Sequence, residues 1–365
     1  MKIFGAILLL MLSLLGAEPP SAGQPLTDDQ RLAAAEYHFE CAGKLLAQAK
    51  DAFQSGKKDL SAGFVVQGDE QIAKGQHLLD IVQHDPGQWI GTSYLRAYLE
   101  ILLAQRVFDP GKTETERSKQ EALKKSHLLA GRTVLTGIVA GFPADPWIPK
   151  AVLKLGTIHE GLEEINLACK AYSDLTFHYP NSEQAAEGWF RLGKGLMTKS
   201  KASERSAEGN PDPARRSADL AAAQEAWVMA AKTFTRVKSD FPKYVQADKA
   251  MVLSGMCYMR AKRFDEALLS LAVITDQGDF PDRDLWAEAM YWTADVYLKV
   301  AATTLKPAPW KIDPATAGNK AYKIMKRLIE ANPETVWSKF SRGRIAQDPI
   351  LVDAERNESR ERKQE

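Results

Sequence analysis

The chain is poor in features that announce chemistry or a strong electrostatic field. Cysteine is scarce: Cys41, Cys169 and Cys257 are its 3 thiols in 365 residues. An odd, widely spaced set fits buried small side chains better than a disulfide framework or a metal site. Neither sign of charge is in surplus, since 48 Lys and Arg face 47 Asp and Glu. No global field therefore favours nucleic acid or an anionic membrane. Beyond the first residues no segment is apolar enough to span a bilayer, which takes roughly 20 residues.

Catalytic signatures are equally sparse. There is no glycine-rich phosphate loop, no G-x-S-x-G elbow and no C-x-x-C pair. The histidines His38, His77, His84, His127, His159 and His178 include no i, i+4 pair of the helical zinc type. His159-Glu160 opens like such a motif, but Glu163 and Glu164 stand where the second histidine belongs. Ser55-Gly56-Lys57-Lys58 matches S-x-x-K, yet the companion S-D-N and K-T-G elements are missing. These absences argue against an enzyme, and no cofactor or metal is expected.

What is present begins with a leader. Lys2 precedes an apolar run from Ile3 to Leu15, followed by small residues. That order is the pattern of a secretory signal peptide, with cleavage expected after Ala17 or Gly23. An uncleaved anchor is the alternative. The reading places the mature chain outside the cytoplasm, periplasmic or extracellular.

From Trp147 onward the sequence repeats itself. One unit carries Val152, Leu155-Gly156, His159, Ala168, Tyr172 and Pro180; the next carries Trp189, Leu192-Gly193, Leu196, Ala230, Phe234 and Pro242. A third carries Met251, Gly255, Tyr258, Ala267, Leu271 and Pro281, and a fourth Met290, Ala294, Tyr297, Ala321, Met325 and Pro333. Small residues at fixed places let paired helices approach closely, large ones three or four positions away fill the space beside them, and proline ends the second helix. This pattern resembles the tetratricopeptide (TPR) repeat of about 34 residues, W-x2-L-G-x2-Y, A-x3-F, P. Upstream the signature decays: Leu78, Ile81 and Pro86, then Leu135, Ile138 and Pro143, resemble the ends of two more second helices. Their first helices are expected near 29–54 and 93–107.

The resemblance implies an all-α, right-handed superhelical solenoid of stacked antiparallel helix pairs, in about six units. The expected layout is a leader over 1–23, degenerate helical units over 24–146, a TPR array over 147–340 and a charged, frayed or disordered tail over 341–365. A separate N-terminal helical domain is the alternative for 24–146. Polar or proline-rich insertions (54–69, 108–117, 199–221 and 305–316) are expected between the helices of a unit, along one rim that is either a binding face or a set of tolerated loops and lengthened helices.

The resemblance also implies that first helices line a concave, partner-binding surface. The residues it places there are Phe190, Lys194 and Met197, then Val252, Met256, Met259 and Arg260, then Tyr291, Asp295 and Lys299. This mixture suits an apolar or amphipathic helix or an extended peptide. The expected function is that of an exported adaptor holding a protein or peptide in the cell envelope, similar to exported TPR proteins of envelope assembly. A glycan or cell-wall peptide ligand, met by Trp89, Trp147, Trp310 and Trp337, is the second reading.

Overall fold

The computed structural model describes residues 26–82, 89–109, 113–277, 280–303 and 311–364. The leader, His84, Pro86 and Trp310 lie outside them. The described residues form fourteen helices and no strand. The chain divides into two compact units between Leu175 and Thr176.

The N-terminal unit contains α1 (Asp28–Gln54), α2 (Lys58–Ile81), α3 (Trp89–Arg106), α4 (Glu114–Gly141), α5 (Ile148–Gly161) and the start of α6 (Ile165–His178). α1 begins with a capping box: Thr27 Oγ1 accepts from the Gln30 N–H at 3.3 Å and Gln30 Oε1 accepts from the Thr27 N–H at 3.0 Å. Thr113 and Glu116 do the same for α4. α1 packs on α2, α3 on α4, and α1 also touches α3. Where α1 crosses α2, a Cβ on Gly75 would land on the Phe39 ring. Where α5 crosses α6, one on Gly156 would land on Tyr172, which is fully buried.

The second unit contains the rest of α6, then α7 (Ala185–Gly209), α8 (Pro213–Asp240), α9 (Ala247–Arg260), α10 (Phe264–Thr275), α11 (Arg283–Ala301), α12 (Pro314–Ala331), α13 (Val336–Gln347) and α14 (Pro349–Gln364). From α7 to α14 each helix packs on the next in chain order, and α9, α11 and α13 also touch in series. The crossing rule of the N-terminal unit recurs. Gly193 lies under Phe234 and Gly255 under Leu271, while Ala294 and Met325 share one buried cluster.

The links repeat as well. Before Pro143, Pro242 and Pro333, the N–H groups of Phe142, Phe241 and Asn332 each bond the carbonyl four residues back, at 3.0, 3.1 and 3.0 Å. Two further turn bonds then start the next helix, from Asp145 and Ile148 after Pro143 and from Tyr244 and Ala247 after Pro242. The tight links inside hairpins share another geometry. Gly56, Glu163 and Lys262 all adopt positive φ, and the following residue's N–H bonds the carbonyl five back at 2.8–2.9 Å. That is a Schellman ending, in which a left-handed residue reverses the chain and satisfies the helix carbonyls.

Two open alternatives resolve toward helix. The insertion at 199–221 lengthens its helices. Its alanines and charged residues extend α7 and α8, and the break shrinks to Asn210–Asp212, where Asp212 Oδ1 caps Ala214 N at 2.9 Å. Residues 54–69 likewise contribute a tight turn at Gly56 and the first turns of α2. The charged tail is helical: in α14, Leu351 and Ala354 are buried against α12, and Lys326 pairs with Glu358 at 3.0 Å. Two apolar side chains one turn apart suffice to dock an otherwise charged helix.

Candidate functional site

The expected binding residues fall into two groups. Lys194, Arg260 and Lys299 are exposed, and Phe190, Met256 and Tyr291 are half-buried. The other four are interior. Val252 and Met259 sit in the core shared with Phe264, Leu271 and Trp286. Met197 packs beside Trp227, and Asp295 is buried, accepting from Arg344 at 3.3 Å. The cause is helix stacking: α11 covers one side of α9, and α13 covers one side of α11. Residues placed on that side are core, not lining. Phe190, Met256 and Tyr291 keep part of their surface accessible, and Lys194, Arg260 and Lys299 are open to solvent. Phe190 meets Phe234 and Tyr244 edge-on, at 5.7 and 6.1 Å between ring centres. Tyr291 joins Trp292 and Trp337 at 5.4 and 5.2 Å.

The N-terminal unit holds an arrangement that the sequence reading missed. Each of α1, α3 and α5 contributes an i, i+4 pair: Glu36 and Glu40, Tyr94 and Tyr98, Lys150 and Lys154. Lys150 Nζ lies 2.7 Å from Glu36, and the Tyr94 hydroxyl also bonds that carboxylate. Lys154 Nζ stands 3.4 Å above the Tyr98 ring, and Lys150 lies 4.8 Å from the ring centre of Trp147. Burial raises the Glu36 carboxyl above its ordinary range, with Lys150 pulling it back. Burial likewise raises both phenols, helped by the nearby glutamates. Tyr94 and Tyr98 therefore stay protonated, and Tyr94 donates to Glu36. The i, i+4 spacing was visible, but the three helices are far apart in sequence and nothing local says that they meet.

Beside this rank lies a cleft of about 750 Å³. Leu46, Ile101 and Leu128 give it an apolar base, and Gly43, Ala47 and Ala104 keep that base shallow. α4 supplies a polar wall with Arg117, Gln120 and Lys124; α5 supplies Thr157 and Glu160. Thr157 and Glu160 stand one and four residues after Gly156, as Lys194 and Met197 follow Gly193 and Met256 and Met259 follow Gly255.

Other singled-out groups have structural partners. His159 Nδ1 meets Glu164 at 2.6 Å, and that carboxylate also takes Arg132. The His159 hydrogen bond leads in holding Glu164 below the ordinary carboxylate range. His38 meets Gln71 at 2.7 Å and His127 meets Glu100 at 2.6 Å. Ser55 and Gly56 are the α1–α2 turn. No disulfide joins the three cysteines; Cys169 and Cys257 are buried, and burial raises the Cys257 thiol far above its usual range. Among the described residues no three His, Cys, Asp or Glu converge as a metal site, and no helix is long and apolar enough to cross a membrane. Of the tryptophans, Trp89 is half exposed and meets Phe142 edge-on at 5.4 Å, while Trp147 and Trp337 are half-buried. Compared with known proteins, the chain matches no family model and no curated sequence.

Proposed function

We propose that this chain is an exported binding scaffold made of stacked TPR-like hairpins, which holds a protein or peptide partner in the cell envelope. The observation that carries the reading is one crossing used repeatedly: Gly156 under Tyr172, Gly193 under Phe234, Gly255 under Leu271, and Ala294 beside Met325. Hairpins built this way bury only one face by themselves and complete it against a neighbour, as α9, α11 and α13 do. Such a stack leaves a long, ribbed surface. Here that surface offers Phe190, Met256 and Tyr291 together with Lys194, Arg260 and Lys299. Apolar ridges flanked by cations suit an amphipathic helix or an extended peptide with acidic flanks. Lys2 and the apolar run from Ile3 to Leu15 support export. The second reading, a glycan or cell-wall peptide, rests on Trp89, whose exposed ring beside Phe142 is a stacking platform.

The test places a photo-crosslinking residue at Lys194, Arg260 or Lys299, with Leu269 as the control because it is exposed on a second helix. Cell-envelope material is then irradiated with each variant. The expected result is one shared adduct from the three first-helix positions and none from Leu269. Equal labelling at all four positions refutes the binding face.

A further inference from the structure

We propose that α13 is a strap: it opens alone, between a docked α12 and a docked α14, and uncovers the face of α11 that carries Tyr291, Trp292 and Asp295. The opening is a property of the fold and needs no partner. Its consequence, that the strap sets how much first-helix surface is on offer, rests on the scaffold reading.

α13 is unusual in what it buries. Every other described helix buries at least one apolar side chain, whereas the buried residues of α13 are Ser338 and Ser341. Val336 and Phe340 are each 52% exposed, and Trp337 and Ile345 are half-buried. Little apolar surface leaves water when this helix closes, so the main driving force for docking is weak here. The helix is also weak in itself. Gly343 lies in its interior, and a Cβ there would meet no atom within 4 Å, so crowding does not explain the glycine.

The seam beneath α13 works against closure. Ser341 Oγ on α13, Trp292 Nε1 on α11 and Asn332 Nδ2 in the link from α12 are buried without a hydrogen-bond partner among the described residues. Opening lets water into the seam to supply the missing bonds. Closure is held by rings and one guanidinium. Trp337 meets Tyr291 at 5.2 Å and Trp292 at 5.9 Å, and Arg344 donates to Asp295 at 3.3 Å. Asp295 is 6% exposed, so its charge depends on that guanidinium while the strap is closed.

α14 has its own anchorage. Leu351 and Ala354 are buried in a cluster with Ala294 and Leu298 of α11 and with Tyr322 and Met325 of α12. Lys326 pairs with Glu358 at 3.0 Å, and a Cβ on Gly318 would lie 2.6 Å from Ile350. The stretch from Asn332 to Asp348 is therefore tied down at both ends, which separates a strap from a fraying terminus.

Hydrogen exchange of the full chain, read by mass spectrometry at constant pH, tests the strap. Peptides inside 336–347 are expected to exchange at least about tenfold faster than peptides from α12 and from the start of α14. Ser341→Ala, which removes the buried hydroxyl, is expected to slow α13 at least about fivefold, beyond the roughly two- to threefold that helix propensity alone gives. Gly343→Ala is expected to slow it about four- to fivefold. Arg344→Met, which leaves Asp295 uncompensated, is expected to speed exchange in α13 while α14 keeps its protection. The proposal is overturned if α13 and α14 exchange together, if α13 is as protected as α12, or if Ser341→Ala slows exchange no more than propensity predicts. No partner takes part in this measurement, so its failure leaves the crosslinking result at Lys194, Arg260 and Lys299 untouched, and a failed crosslink leaves the strap standing.

Discussion

Two glycine-to-alanine substitutions in the second unit are expected to have opposite signs. Gly343, on the exposed face of α13, has no atom within 4 Å of the position a Cβ would take. Alanine there gains the helix-propensity difference, about 0.8–1 kcal/mol, with nothing opposing it. At Gly193 the same gain meets a wall. The new Cβ would lie 2.7, 2.8 and 2.9 Å from three atoms of the Phe234 ring. That ring is fully buried and held edge-on by Phe190, so it cannot swing aside without moving its neighbours. Overpacking of this kind costs about 1–3 kcal/mol. After the propensity gain, Gly193→Ala is destabilising by about 0–2 kcal/mol, leaving it about 1–3 kcal/mol below Gly343→Ala. Urea unfolding followed at 222 nm reads the gap as a shift in midpoint at constant slope. A double-mutant cycle localises it: in a Phe234→Leu background the Gly193→Ala penalty shrinks or reverses. If Gly193→Ala is as stabilising as Gly343→Ala, the small-under-large crossing is not a constraint, and the argument for stacked hairpins loses its footing.

Two further predictions concern titration and reactivity. Because burial raises the Glu36 carboxyl above its usual 4.5, the folded chain binds this proton more tightly than the unfolded chain does. Its contribution to stability therefore falls as pH rises from about 4.5 through the raised native value, and is level above it. Thermal unfolding across that window is expected to show the decline in the parent and not in Glu36→Gln. A steeper decline is expected in Lys150→Met, which loses the compensating cation; a rise in the parent relative to Glu36→Gln refutes the assignment. A thiol reagent added to the native protein is expected to modify half-buried Cys41 and to leave Cys257 untouched until denaturant is added. Labelling of Cys257 before unfolding counts against its burial.

The helical hairpins were legible because their rules are local. Proline after a helix and small residues at fixed spacing are both read within a few positions. The insertion at 199–221 was left open between a loop and lengthened helices because its polarity fits both; Lys199-Ser200-Lys201-Ala202-Ser203-Glu204 and Ala221-Ala222-Ala223-Gln224-Glu225 continue the helices, and the break falls at the prolines around Asp212. The resemblance placed Val252 and Met259 on a surface, but a repeat pattern tells which residues share a face, not what covers that face. α11 covers this one. The N-terminal cleft was invisible for a related reason. It forms where Gly43, Ile101, Lys124 and Glu160 meet, on four helices whose long-range contacts leave no mark in any window of sequence.

The proline links carry an implication for how such a chain is assembled and altered. Their geometry is set by main-chain hydrogen bonds around Phe142, Phe241 and Asn332, and the residues in the turns differ freely. A splice from one link to another would thus rejoin ends of like conformation. Lineages can lengthen or shorten such a molecule by whole cassettes, and an engineer can exchange cassettes at the same seams, with the fit of neighbouring side chains as the remaining cost.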